Sequence, residues 1–391
     1  MIRYLKVKGL NKRLDGEFEF NEDLNIFTGP NGSGKTTLLK LLWYLISGHL
    51  EQILVEIPFR SIAIQTDLFA LSMERLNPDQ VKFDYNSGKD IDEFIIAAAE
   101  TGWINRKSVV WVNSLEKQIA RMTKQSLFFP TFRRIEGGFS RIRTDADDSN
   151  IKFLASDPEM LQVSMSQFSS EVSVNAHMFI ASISTEDLRE LLTQKYADIY
   201  EEITTRQSQV LEEISKEIQN NPDKDRVSEI PQDASVVLNA IQKVNEERER
   251  LSKPFSVLSE LSRKILRYDA IHVTGQIVRG ETTNGITLGE GKDGITVGDA
   301  KDAISSDKLS SGEKQMLSFL CYNAFSKDMA IFIDEPELSL HVDWEAILLP
   351  TLLEQATTNQ LFVATHSPFI YTIYPDKEFM LDDTRGYQGE T

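Results

Sequence analysis

The chain has 391 residues, 41% hydrophobic and 26% charged, which is ordinary for a globular protein with one large domain or two to three smaller ones. A net charge of −18 opposes non-specific nucleic-acid binding by the chain as a whole, and no apolar run of roughly 18 residues argues for a membrane span. A single cysteine, Cys321, excludes an intramolecular disulfide. With a strand-like start at Met1–Lys6 instead of a signal-peptide core, it points to the cytoplasm, and its apolar neighbours predict a buried structural thiol.

Taken in order, Tyr4–Val7 and Phe18–Phe20 read as antiparallel strands, joined by a turn at Leu10–Arg13 that carries two bases. That turn is either a solvated hairpin tip or a contact to adenine or phosphate. Leu24–Phe27 reads as a strand feeding Gly29-Pro30-Asn31-Gly32-Ser33-Gly34-Lys35-Thr36-Thr37, and an amphipathic helix from Thr36 to Ile46 follows. The stretch fits G-x-x-x-x-G-K-[ST], a phosphate-cradling loop in the strand–loop–helix setting it requires. Gly29, Gly32 and Gly34 let the backbone N–H groups turn inward toward phosphate oxygens, and the helix N-terminus adds its positive end. Lys35 reaches the β/γ-phosphates and the Thr36 hydroxyl ligates Mg²⁺. Asn31, Ser33 and Thr37 complete the expected nucleotide contacts.

Strands are expected at Ser61–Gln65 and at Leu127–Phe129, the latter leading into Arg133 and Arg134, which suit phosphate or carboxylate binding. Asp145–Asp148 reads as an acidic surface loop. Between Trp103 and Arg143 there are nine basic and two acidic residues. This segment is either a solvated face paired with acids elsewhere or a contact for nucleic acid. From Ser184 to Ile218, Leu188, Leu192, Tyr196, Ile199 and Ile203 begin an apolar stripe at helical spacing, and Asn220–Asp223 ends it. A second helix spans Ala234 to Ile265, bent or divided at Pro254. Together they predict an antiparallel helical hairpin inserted in the core, too short for a long coiled-coil arm. Gly285–Gly289 and Gly294–Gly298 read as a β-hairpin.

Three later stretches carry chemistry. Leu309-Ser310-Ser311-Gly312-Glu313 precedes a helix expected at Met316–Phe325, and small hydroxyl residues with glycine at a helix start either bind phosphate or form an ordinary helix cap. Met329–Ile333 is an apolar run of the buried, parallel-sheet kind, tipped by Asp334 and Glu335. A carboxylate pair there suits a Mg²⁺ shell (Asp334) and polarisation of an attacking water (Glu335). Leu361–Ala364 is a second such strand, ending at Thr365 and His366, and His366 is either a sensor of a γ-phosphate or a structural histidine at a strand end.

In this order the motifs resemble the ATP-binding-cassette ATPases, within them the soluble branch of SMC proteins, RecF and the OLD-like ATPases. Gly29–Thr36 resembles Walker A, Leu309–Glu313 the signature motif, Asp334 and Glu335 Walker B with its catalytic glutamate, Pro336–His341 the D-loop, and His366 the switch histidine. Gln65 is the best Q-loop candidate. Ala364–Ile370, Asp334–Leu338 and Phe129–Arg133 look especially like the OLD-like members. The resemblance implies an α/β fold: an ABC-type P-loop NTPase head, with an antiparallel β subdomain, a mostly parallel sheet core and the inserted helical hairpin. Lobes are expected at 1–180 and 269–391, flanking an insert at 181–268.

It further implies Mg²⁺-dependent ATP hydrolysis with Lys35, Glu335 and His366 as catalytic residues and Thr36 and Asp334 at the metal. Ser310, Ser311, Gly312 and Glu313 would cover the nucleotide of a second subunit, so at least a homodimer is implied. About 25 residues follow His366, fewer than the ~50 or more of an added nuclease domain. The expectation is therefore a nucleotide-controlled sensor or scaffold for a separately encoded nuclease or toxin, in bacterial anti-phage defence. The alternative is a RecF/SMC-like DNA-binding clamp in DNA repair that uses segment 103–143.

Overall fold

A computed structural model describes residues 1–131 (except 79, 89–90, 100–101, 104–105 and 124), 167–181, 185–219, 231–266, 271–274, 294–297 and 310–381. In chain order the elements are β1 (Ile2–Leu10), β2 (Leu14–Glu19), β3 (Leu24–Thr28), α1 (Lys35–Ser47), α2 (Leu50–Glu56), β4 (Ser61–Thr66), β5 (Ala70–Asn77), β6 (Gln80–Asn86), β7 (Ile91–Ala99), β8 (Gly102–Trp103), α3 (Arg106–Met122), β9 (Gln125–Phe129) and β10 (Ala176–Phe179). Then follow α4 (Thr185–Gln219), α5 (Pro231–Leu266), β11 (Ile271–Thr274), β12 (Gly294–Val297), α6 (Ser311–Ala324), β13 (Ala330–Asp334), α7 (Val342–Glu354), β14 (Gln360–Ala364), α8 (Pro368–Tyr371) and β15 (Glu378–Met380). They group into two compact units, Met1–Ile183 with Ser326–Thr391, and Ser184–Phe325.

The first unit is α/β, with two sheets. One is antiparallel, ordered β2-β1-β4-β5-β6-β7-β8; the other is ordered β10-β9-β13-β14-β3-β15, and every neighbouring pair in it is parallel. Its central strands are buried on both faces, which is why Ile331–Ile333 and Leu361–Ala364 are unbroken apolar runs. Register stacks aromatic rings across this sheet. Phe332 lies opposite both Phe128 and Phe362, with ring centroids 6.3 and 5.0 Å away.

Ten of the thirteen residues of α1 are buried, and its polar side narrows to a strip at Thr36, Thr37 and Lys40, so the expected helix is amphipathic but mostly core. It shares one apolar cluster with residues of both sheets, α2 and α3. That burial fixes the helix, and with it the loop it begins from.

Glu116 on α3 accepts a hydrogen bond from the Glu51 backbone N–H at 2.9 Å. Burial pushes its carboxyl from an ordinary 4.5 up to about 7, against the opposing backbone hydrogen bonds. The folded protein thus holds this proton more tightly than the unfolded chain. The resulting stability is present below about pH 4.5 and is lost as pH rises through about 7. Glu116→Gln is expected to flatten the fall in melting temperature between about pH 5 and pH 8. Thermal denaturation across that range measures it, and an unchanged slope would assign the dependence to other groups.

In the second unit α4 and α5 pack as a hairpin. Tyr196 meets Phe255 at 5.6 Å, while Ile203 and Arg206 share a crevice with Val244–Leu251, a pairing that runs in opposite directions. Leu188, Leu192, Phe255, Leu258 and Leu261 are buried, and Phe255 also meets Phe325 at 4.6 Å. α5 continues through Pro254 as one helix, so the proline does not divide it. Gly294–Val297 pairs antiparallel with Ile271–Thr274; Gly285–Gly289, the expected partner in a hairpin, lies outside the described residues. Arg133, Arg134 and the rest of the basic segment beyond Thr131 also lie outside them, as does Asp145–Asp148. Cys321 is fully buried, and burial pushes its thiol far up.

Candidate functional site

The site forms where β9, β13, β14 and β3 end together, at the carboxyl edge where open α/β sheets place ligands. Gly29 leaves β3 with φ +136, and a Cβ there would stand 2.1 Å from the Leu381 carbonyl oxygen, so only glycine fits. Gly32 has φ +83 with no atom within 4 Å of where its Cβ would stand, so the loop wall is open at this point. Gly34, also left-handed, starts α1 without any side-chain cap, which leaves the first N–H groups of the helix free of side-chain acceptors. Ser33 Oγ is buried and has no hydrogen-bond partner among the described residues.

Lys35 is 5% exposed. Its Nζ donates to the carbonyls of Gly29 (2.9 Å) and Pro30 (3.1 Å) and lies 3.3 Å from His366 Nδ1. Burial lowers its affinity for the proton, and the charges of Glu335, Asp334 and Glu337 oppose that shift. A lysine ammonium only donates, so a hydrogen bond between the two has His366 Nδ1 as its acceptor. Nε2 in turn lies 3.7 Å from Glu335 Oε1.

Thr36 Oγ1 donates to Asp334 Oδ1 at 3.0 Å, and the Thr131 hydroxyl donates to Oδ2 of the same carboxylate. Asp334 is 3% exposed. Burial raises its pKa, while the hydrogen bonds from Thr131 and Thr36 hold it down. Two hydroxyls on one buried carboxylate make an all-oxygen donor set of the kind a hard cation such as Mg²⁺ takes. Among the described residues no group of three His, Cys, Asp or Glu side chains stands ready to hold a metal alone. A cation here would therefore be completed by phosphate oxygens and water.

Glu335 adopts a left-handed φ of +46 and its N–H donates to the Ala364 carbonyl at 2.8 Å. The turn out of β13 is thereby tied to the end of β14. Thr37 Oγ1 accepts from Asn11 Nδ2 at 2.9 Å, so the β1–β2 turn reaches the phosphate-loop helix through Asn11. Gln65 is exposed in β4.

Ser310, Ser311, Gly312 and Glu313 lie in the other unit, at the start of α6. That helix begins at Ser311, five residues before the expected Met316. Ser310 is its N-cap and accepts from the Glu313 N–H (3.3 Å), while the Glu313 carboxylate accepts from the Ser310 N–H (2.7 Å) and hydroxyl (2.8 Å). This is a complete capping box. Gly312 is buried and Ser310 exposed. Thr131 and Glu337 fell within Phe129–Arg133 and Pro336–His341 in the sequence but were assigned no role of their own. Their signal was proximity to Phe129-Pro130 and to Asp334-Glu335, which did not say what they touch.

Fold and site together define a P-loop nucleotide-binding protein, with its loop set beside the acid-tipped strand of a parallel sheet. The chain belongs to the AAA ATPase domain family, which matches residues 1–371. Over 63 residues it is 38% identical to Endonuclease GajA of Bacillus cereus (strain VD045), a match spanning 15% of this chain and 11% of that protein. Among solved structures it is similar to an Smc head bound to the C-winged helix domain of ScpA, at a TM-score of 0.41 and 11% identity over 95% of this chain and 91% of that one. A second Smc head, with an extended coiled coil and bound to the C-terminal domain of ScpA from Pyrococcus furiosus, gives 0.37 and 12% over 95% and 91%. Among the described residues no helix is long and apolar enough to cross a membrane.

Proposed function

We propose that this chain binds ATP with Mg²⁺, hydrolyses it, and assembles through composite ATP sites as a nucleotide-controlled sensor or scaffold for a separate effector. The observation that carries this reading is the convergence of Lys35, Thr36, Asp334, Glu335 and His366 on one sheet edge. On binding, Lys35 exchanges the Gly29 and Pro30 carbonyls and His366 for phosphate oxygens, and the N–H groups of Gly32 to Thr37 close on the phosphates. Ser33 Oγ gains the partner it lacks. Thr36 and Asp334 hold Mg²⁺, whose bound charge offsets that of the phosphates. Glu335 takes the proton of the attacking water, and the Nε2–H of His366 turns from Glu335 toward the γ-phosphate.

In this reading residues 1–180 and 269–391 are the two lobes of one ATPase head and 181–268 the insert. Ser310, Ser311 and Gly312 of one copy complete the nucleotide site of another, and Glu313 orders the helix start that presents them. Because both copies contact the γ-phosphate, ATP and its product differ in their affinity for the closed state. The similarity of a 63-residue segment to Endonuclease GajA supports a nuclease as the effector; the toxin alternative, the cytoplasmic location and the anti-phage role rest on the sequence resemblance. Light scattering of Glu335→Gln with and without ATP tests the assembly. A rise in mass with ATP is expected; the same mass in both states would mean that nucleotide does not drive association.

A further inference from the structure

Glu337 lies two residues beyond Glu335, in the turn that leaves β13. The turn folds back on itself through the Leu338 N–H to the Glu335 carbonyl (3.1 Å) and the Leu340 N–H to the Glu337 carbonyl (3.0 Å). Left-handed φ values at Glu335 (+46) and Ser339 (+77) accompany this fold-back. As a result the Glu337 carboxylate faces the end of β14. Oε1 accepts from the His366 backbone N–H at 2.6 Å and Oε2 from the Thr365 hydroxyl at 2.9 Å. Thr365 is fully buried, and its oxygen also accepts from the Ser367 N–H at 3.0 Å. The Ser367 hydroxyl donates to Glu345 of α7.

The His366 ring approaches two groups that act on nucleotide and water in the proposed function, Lys35 at 3.3 Å and Glu335 at 3.7 Å. Its backbone, by contrast, is held by a carboxylate that meets no phosphate in the proposed function. We propose that Glu337 is a positioning residue: it clamps Thr365 and His366 so that the imidazole stands between Lys35 and Glu335. Any movement of the 335–340 turn is thereby passed to His366. A charge-assisted pair of hydrogen bonds from one planar carboxylate sets direction as well as distance. Displacing a reacting-site group by about 1 Å is enough to cost on the order of 100-fold in rate.

This inference rests on the proposed ATPase reading for its kinetic arm alone. In the nucleotide-free full-length protein, the His366 imidazole resonances are followed by NMR in wild type, Glu337→Ala and Glu337→Gln. Glu337→Ala removes both acceptors and is expected to move those resonances. Glu337→Gln keeps the shape and one acceptor, serves as the test should the alanine variant not fold, and is expected to shift them less. In ATP turnover Glu337→Ala is expected to lower kcat roughly 10- to 100-fold with KM within about threefold, and Glu337→Gln to recover part of the loss. Unmoved His366 resonances in both variants overturn the clamp, whether or not the protein hydrolyses ATP. Wild-type protein without ATPase activity but with shifted resonances in the variants would overturn the ATPase reading and keep the clamp. A rise in KM with unchanged kcat would make Glu337 a ground-state binding group and overturn positioning.

Discussion

Lys35→Ala is expected to abolish detectable ATP binding at micromolar nucleotide. Lys35 is 5% exposed, and its ammonium is met by two loop carbonyls and His366. It is a buried cation opposite three carboxylates, those of Asp334, Glu335 and Glu337, which sustain its charge against burial. Phosphates brought into this acidic surrounding without Lys35 would meet uncompensated negative charge. Losing one partner of a buried charge pair costs about 2–5 kcal/mol, or roughly 30- to 4,000-fold in Kd at about 1.4 kcal/mol per tenfold. Calorimetric titration with ATP measures it, and circular dichroism checks that the variant is folded. Affinity within threefold of wild type would remove the 29–37 loop from phosphate binding.

Glu335→Gln is expected to separate binding from turnover. The amide keeps the side chain's size and leaves untouched the backbone bond from the Glu335 N–H to Ala364, so the left-handed turn and the Asp334–Thr36 pair should persist. It cannot accept a proton. Loss of a positioned base lowers the rate by about 10²- to 10⁴-fold, while ATP affinity should stay within a few-fold. Single-turnover measurement with labelled ATP distinguishes the chemical step from product release. Hydrolysis at the wild-type rate would take the role of base from Glu335 and leave His366, or water alone, to supply it.

The motifs at 29–37, 334–335 and 366 were legible because each depends on neighbours in sequence: glycines where φ must be positive, a lysine and a threonine at fixed steps, carboxylates where an apolar run stops. The apolar strands themselves were legible for the same reason, since Leu24–Phe27 and Leu361–Ala364 declare double-sided burial by having no polar alternation. The helices from Thr185 and to Leu266 followed from a stripe at three and four residues, and the propensity penalty of Pro254 was overridden inside α5. The early start of α6 was written in Ser310 and Glu313 as a capping box, although their residue types suited phosphate as well as a cap.

By itself the sequence determined where the glycine-turned loop at 29–37 lies, which strands are buried and which carboxylates end them, because those properties are set by spacing within a few residues. Only the tertiary structure decided that Thr36 donates to Asp334 across 298 positions, that Lys35 meets His366 across 331, and that Thr131 reaches Asp334 across 203. It also decided that Glu337 turns back onto Thr365 and His366, and that α1 is buried on all but a narrow polar strip. Such contacts depend on strand order, β9-β13-β14-β3, and on the register between strands. No local periodicity encodes them, because sheet pairing is fixed by how the whole core closes.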